Sequence, residues 1–245
     1  MEWFSEQQAV LAPYFFLPHP VAVAAVVAFG LFWSRIGPPL APGRPGAWFG
    51  FVAGAAVYAV AQVWARGEPT TAVMDLITSN IDPARVADAR PLTGIVEALV
   101  AGYTLEMVKL ILMLLVIFAM AYPREPRAAT TAAAAPALGF AMFGANAALS
   151  PAIQQLPVGG DLVFPIVQQW LWIGLHLGTA YLLAKGWLVD RLGVYLLSAG
   201  LLHAAAVYTA TLETLGWHPV VVTVVLAAVA LSAFSGGAGA IPARR

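Results

Sequence analysis

The chain of 245 residues contains no cysteine and carries little charge. Without cysteine there is no disulfide framework, no thiol nucleophile and no thiolate metal site. Charged residues make up 10% of the chain, against roughly 25% in soluble domains. The formal net charge is zero, so no global field draws in nucleic acid, and nucleic acid is excluded as an expected partner. A basic leader is also missing. Met1 to Gln8 is acidic through Glu2 and Glu6, where a signal peptide is basic, so the first apolar stretch is expected to stay as a helix. No tandem repeat, heptad run or separate soluble domain is visible.

What is present in excess is apolar. Hydrophobic residues reach 61% and the mean hydropathy is +0.82. A chain of this length cannot hide that much apolar surface in one water-soluble core, so the lipid bilayer is its expected partner and solvent. A crossing takes about 20 largely apolar residues. Seven segments qualify: Tyr14 to Trp33, Pro45 to Ala65, Leu92 to Tyr122, Ala128 to Leu149, Phe164 to Leu188, Leu192 to Leu212 and Pro219 to Phe234. The expected fold is therefore an all-α, polytopic membrane helix bundle, a single transmembrane domain over 1–245 in the cell membrane. The third segment is long for one crossing, so it tilts or begins as an exposed helix.

Loop charges predict the orientation. Arg35, Arg44, Arg124, Arg127, Lys185, Arg191, Arg244 and Arg245 fall on one set of loops, each loop with its own pair, and Arg66, Arg85 and Arg90 on the other. Basic residues favour the cytoplasm, so the N-terminus is expected outside and the C-terminus inside. Residues 66–91 then form a polar extracytoplasmic loop with Asp75, Asp82 and Asp88. Ala72 to Ile77 has helical character and Asp82-Pro83 can start another short helix. The loop reads as a solvated connector, with a lid or partner-docking element as the alternative. Gly50 and Gly54 form a G-x-x-x-G pattern, expected to serve close helix packing within the bundle. Trp33, Trp48, Trp64, Trp170, Trp187 and Trp217 lie near span ends, where tryptophans anchor helices at the interface.

Ionisable groups inside a span cost a few kcal/mol even on lenient insertion scales, on the order of +2.5–3.5, so they face a partner or a wet cavity. Glu106 and Lys109 lie mid-span in the third segment, His176 in the fifth and His203 in the sixth. A rise of about 1.5 Å per residue puts Glu106, His176 and His203 at similar depth. Glu106 and Lys109, three apart, share a helix face. They read either as an internal ion pair or as a catalytic or metal-binding Glu106 oriented by Lys109. Nearer the outer face, Asn146, Gln168 and Gln169 are expected to line a mouth, and Glu97 to be an ordinary solvated carboxylate. His19 and His218, beside prolines at span ends, read as interfacial.

The run Ala101-Gly102-Tyr103-Thr104-Leu105-Glu106-Met107-Val108-Lys109 resembles the first motif of the YhfC family. That family is described as intramembrane proteases, grouped with the PrsW, CAAX-protease and APH families. Its motif is roughly Ala-Gly-x-x-Glu-Glu-x-x-Arg. Leu138-Gly139-Phe140-Ala141 resembles the start of the second motif, and His176 and His203 stand where later motif histidines stand. The chain departs from the pattern at Leu105, in the place of the first glutamate, and at Gly144, Ala145, Asn146 and Ala148, where the family has a further His or Glu. Gln168 and Gln169 stand where a Glu-Arg pair is frequent. The resemblance implies an intramembrane peptidase with Glu106, His176 and His203 as catalytic residues, supported by Lys109, Asn146, Gln168 and Gln169, in a divergent or inactive form. Its substrate would be a membrane protein or peptide. Two mechanisms stay open: a glutamic one with Glu106 as base and no cofactor, and a zinc one with Glu106, His176 and His203 as ligands. The alternative function is a non-catalytic membrane scaffold or substrate-binding subunit with the same fold. A small transporter would want inverted repeats and broken helices, and neither is visible. Haem ligation by His176 with His203 would need opposed rings across a wide gap.

Overall fold

The computed structural model describes residues 17–41, 43–66, 68–79, 85, 89–155 and 162–239. Expectations that rest on residues 1–8, on Asp82-Pro83 and Asp88, or on Arg244 and Arg245 lie outside the described residues. Helices are found throughout and no strand occurs among the described residues. In chain order they are α1 (Pro20–Ile36), α2 (Pro45–Arg66), α3 (Glu68–Thr78), α4 (Arg90–Ala119), α5 (Pro126–Gln155), α6 (Val163–Leu188), α7 (Leu192–Thr214) and α8 (Pro219–Ala238).

Each of the seven expected segments coincides with a helix, and α3 supplies a further short one in the polar loop. Four helices, α4, α5, α7 and α8, are long and apolar enough to cross a membrane. The apolar stretches of α1 and α2 (Pro20–Ile36 and Gly46–Gln62) are shorter. α6 has the length, at 26 residues, but carries Gln168, Gln169, His176 and Lys185. His176 lies in the stretch from Leu171 to Ala184, which is almost wholly buried among other helices, while Gln168, Gln169 and Lys185 are half-buried to either side of it. The 30-residue α4 begins with an exposed first turn at Pro91 and Leu92, which accounts for its excess length.

The distribution of side-chain size supports a lipid-facing exterior. Large apolar residues point outward at helical spacing, as with Ile111, Leu115 and Phe118 on α4 or Val194, Leu197 and Leu201 on α7. Inside, small residues concentrate where helices cross, beside buried large ones such as Tyr181, Phe140 and Leu175. Ten consecutive residues of α5, Ala128 to Ala137, are all buried. Water gives no hydrophobic drive between helices in lipid, so close van der Waals packing of small residues takes its place. α2 crosses α5 closely. A Cβ on Gly54 would land on the Pro136 carbonyl oxygen, and one on Gly139 on the Phe51 carbonyl oxygen. The G-x-x-x-G pattern is thus spent inside the bundle, with Gly50 against the Pro136 ring.

Ion pairs gather three connecting segments at one end. Arg44 bonds Glu125 at 2.8 Å, and Arg124 pairs with Asp190. His19 and His218 prove to be N-caps: each Nδ1 accepts from the backbone N–H two residues on, at 3.3 Å, and each is followed by a proline that tolerates the first helical turn. Trp33 departs from the expected interfacial belt. Its side chain is 1% exposed, its Nε1 donates to the Trp170 carbonyl at 2.8 Å, and its ring packs on Trp170 and Phe234. Gly174 on α6 opens the space the indole fills. Trp48, Trp64 and Trp217 are exposed, as anchors are.

The glycine crossing makes a testable contrast. Gly139→Ala should lower the melting temperature of the detergent-solubilised protein, because backbone cannot retreat from the new methyl, at a cost of about 1–3 kcal/mol. Gly193→Ala, with open space at its Cβ, should hold or raise it. Equal melting of both variants would contradict this packing.

Candidate functional site

The site starts from how closely α4 and α7 approach. Gly102 lies against the backbone of Ala204, and Gly200 against the ring of Tyr103, so neither helix has a Cβ to hold the other off. One turn beyond Gly102 comes Glu106, and beside Ala204 comes His203. The short interhelical distance lets their side chains meet: His203 Nδ1 and Glu106 Oε1 are 2.7 Å apart. The Lys109 ammonium, one turn further along α4, reaches the same oxygen at 2.5 Å. Lys109 also donates to Thr179 Oγ1 on α6 at 2.6 Å, and Thr179 donates to the His176 carbonyl at 3.2 Å. A single polar knot therefore ties α4, α6 and α7 together.

The knot is buried at its centre. Glu106 is 0% exposed and Lys109 and His203 are each 1% exposed. Leaving either charge alone there would cost several kcal/mol, and pairing with hydrogen bonds offsets that cost. An ionised carboxylate only accepts, so Glu106 requires the proton of His203 to sit on Nδ1. The ring nitrogen left for other partners is then Nε2.

His176 joins from α6 through ring packing. Its centroid lies 5.0 Å from that of His203 and 5.3 Å from Phe140, with Trp172 stacked near both imidazoles. His176 Nδ1 and Glu106 Oε2 are buried without a hydrogen-bond partner. Native interiors rarely leave such atoms unpaired, so each has capacity for a water or a substrate group.

His176 and His203 line a cavity of about 280 Å³, just below the range of roughly 300–1,000 Å³ typical of small-molecule sites. Gln168 and Gln169 line it nearer the start of α6, and Glu213 near the end of α7. From the histidines to these residues the helices rise by roughly 10–15 Å, a third to a half of the hydrocarbon thickness. The cavity thus runs from mid-bundle to the helix ends. Gln168 Nε2 donates to Glu213 Oε1 at 3.1 Å, bridging α6 and α7 at the mouth.

The fold changes several expectations. Asn146 does not line the mouth: its Oδ1 accepts from Ser150 Oγ, which in turn accepts from the His19 N–H, so it secures the start of α1 to α5. Glu97 is not simply solvated; it bonds Arg90 at 2.7 Å. The zinc set is not assembled either. Among the described residues no group of three His, Asp or Glu side chains could hold a metal ion. The donor geometry explains why, since Glu106 Oε1 already serves Lys109 and His203 and the adjacent ammonium repels a cation. Glu106 also sits behind His203 rather than on the cavity wall, so the group facing the cavity is the imidazole.

Thr179, Gln62 and Glu213 were missed from sequence. Thr179 carried a signal, lying one turn after His176 on the same helix face. Gln62 is polar in an apolar helix, buried, and on the cavity wall. Glu213 lies on α7 about 15 Å from His203, too close to the helix end to stand out as an intramembrane charge. No family model, curated protein or solved structure matches the chain.

The knot predicts a particular mutant cycle. Glu106→Gln strands the Lys109 charge and should destabilise the protein by about 3–5 kcal/mol. Adding Lys109→Met should recover most of that loss, because an apolar isostere replaces a buried charge. Thermal melting in detergent reads both variants. A double mutant no more stable than Glu106→Gln would show that the pair is not the source of the cost.

Proposed function

We propose that this chain is a seven-span cell-membrane protein, N-terminus out and C-terminus in, that acts as a divergent intramembrane hydrolase of the peptidase kind. The observation that carries the reading is the Glu106–His203 bond of 2.7 Å behind an imidazole that lines an open cavity. A carboxylate that holds Nδ1–H leaves Nε2 as a base aimed away from it, the arrangement that orients a general base in hydrolytic sites. His203 Nε2 takes a proton from a cavity water as the oxygen attacks a peptide carbonyl. The proton then passes to the leaving amine as the C–N bond breaks. Glu106 stabilises the transient imidazolium, and Lys109 balances Glu106 while the ring is neutral. His176, beside His203, is placed to hydrogen-bond the carbonyl oxygen. The resemblance of the Glu106 and His203 segments to YhfC motifs adds the substrate class, a membrane-borne polypeptide. In this reading the proton acceptor is His203 and Glu106 is the positioning carboxylate.

A second reading has its own support. Leu105, where the family has a glutamate, lines the cavity and packs with Ala61 and Phe140. A fully neutralised Glu106–Lys109 pair beside that leucine also suits a non-catalytic scaffold or substrate-binding subunit that keeps the fold.

Co-expression with single-pass membrane reporters tagged at both ends separates the two. The hydrolase should release a tagged fragment, and His203→Asn should cut release by at least about 100-fold at unchanged expression, the lower end of what general-base catalysis contributes. Release that survives His203→Asn would remove the imidazole from the chemistry. No release from any reporter would leave the scaffold.

A further inference from the structure

A second cavity, of about 520 Å³, lies between α3, α4 and α7. Thr70, Met74 and Asp75 of α3 line one side, and Glu97 of α4 and Thr214 of α7 the other. Ala101, Val207 and Ala210 line both this cavity and the histidine cavity, so the two are separated by a wall one side chain thick. The path of the helices explains the thin wall. α4 and α7 touch where Gly102 meets Ala204 and again where Gly94 meets Thr211. Between those contacts the side chains shared by the two cavities are Ala101, Val207 and Ala210, while Tyr208 bonds the Pro91 carbonyl across the same pair of helices.

α3 has an unusual polarity for a surface helix. Its cavity side carries threonine and aspartate, while Leu76, 80% exposed, and Ile77, 42% exposed, face away from the bundle. An outward apolar edge on a short amphipathic helix suits the membrane interface, with lipid against Leu76 and Ile77. At 11 residues α3 is marginal as a helix by itself, and among the described residues it packs chiefly on α2 and α4, away from the buried core clusters.

We propose that the cavity under α3 is an antechamber through which a membrane-borne amphiphilic chain reaches His203, crossing the α4–α7 seam at Ala101, Val207 and Ala210. Water uses the separate mouth at Gln168, Gln169 and Glu213. The antechamber's threonine hydroxyls and the Asp75 carboxylate take the polar flank of such a chain. This access route rests on the hydrolase reading for its purpose, but its test needs no turnover.

Because the chain has no cysteine, one introduced thiol reports alone. Ala145 lines the histidine cavity and not the antechamber, so Ala145→Cys is the reporter. The protein in nanodiscs is treated with a sulfonated, membrane-impermeant maleimide or with a pyrene maleimide dissolved in the bilayer. Val207→Phe should slow pyrene labelling at least about tenfold, an added barrier of roughly 1.4 kcal/mol, and slow the sulfonated reagent far less. Ala210→Phe, at an exposed position that tolerates bulk, should do the same if Val207→Phe folds poorly. Pyrene labelling unchanged in both variants, equal slowing of both reagents, or no labelling of the parent would each overturn the separate lateral route. Intact labelling with no hydrolysis would instead count against the hydrolase reading alone.

Discussion

Taking a carboxylate and an ammonium out of water costs several kcal/mol for each ion, and in the interior of this bundle that cost is met by one shared oxygen. Glu106 Oε1 holds both Lys109 and His203, and Lys109 passes the connection to Thr179. Three helices are tied at one level as a result, and no member can leave without stranding another. Buried ion pairs add little net stability over apolar isosteres, so their value here lies in geometry. They determine which ring nitrogen of His203 faces the cavity and keep it there.

The knot in turn depends on packing that has no polar content. α4 and α7 approach closely because Gly102 and Gly200 present no side chain at the crossing. α2 and α5 do the same through Gly54 and Gly139, and α6 and α8 through Gly178, which lies against the backbone of Phe234. Alanine and glycine sit where helices cross, while leucine, isoleucine and aromatic side chains fill the buried space between crossings. Such crossings suit association in lipid, where close backbone contact takes the place of hydrophobic burial. A wider α4–α7 crossing would separate Glu106 from His203 and leave the cavity without an oriented imidazole.

Much of this arrangement was legible in the sequence, and for a stated reason. Apolar segments bounded by Pro, Gly and charged residues predicted seven of the helices within a few residues, since periodic burial and end signals are local properties. The common depth of Glu106, His176 and His203 followed from the rise per residue alone. Facts that depend on which faces meet were not legible. Trp33 sits near a helix end, yet Gly174 across the bundle opens a buried slot for it. Asn146 has the depth of a mouth residue but points toward Ser150. The placement of Glu106 behind His203 depends on how closely α4 and α7 approach at Gly102. α3 was visible as weak helical character in a polar loop, whereas its position over a second cavity is tertiary.

The central claim is that Glu106 holds His203 as the Nδ1–H tautomer with Nε2 free toward the cavity. Imidazole nitrogen-15 NMR on histidine-labelled protein in nanodiscs tests it directly, because the chain has only four histidines and single substitutions assign them. The account predicts a His203 whose Nδ1 is protonated and whose Nε2 resonates as an unprotonated nitrogen, with Glu106→Gln relaxing that preference. A His203 that is Nε2-protonated in the unaltered protein would contradict it.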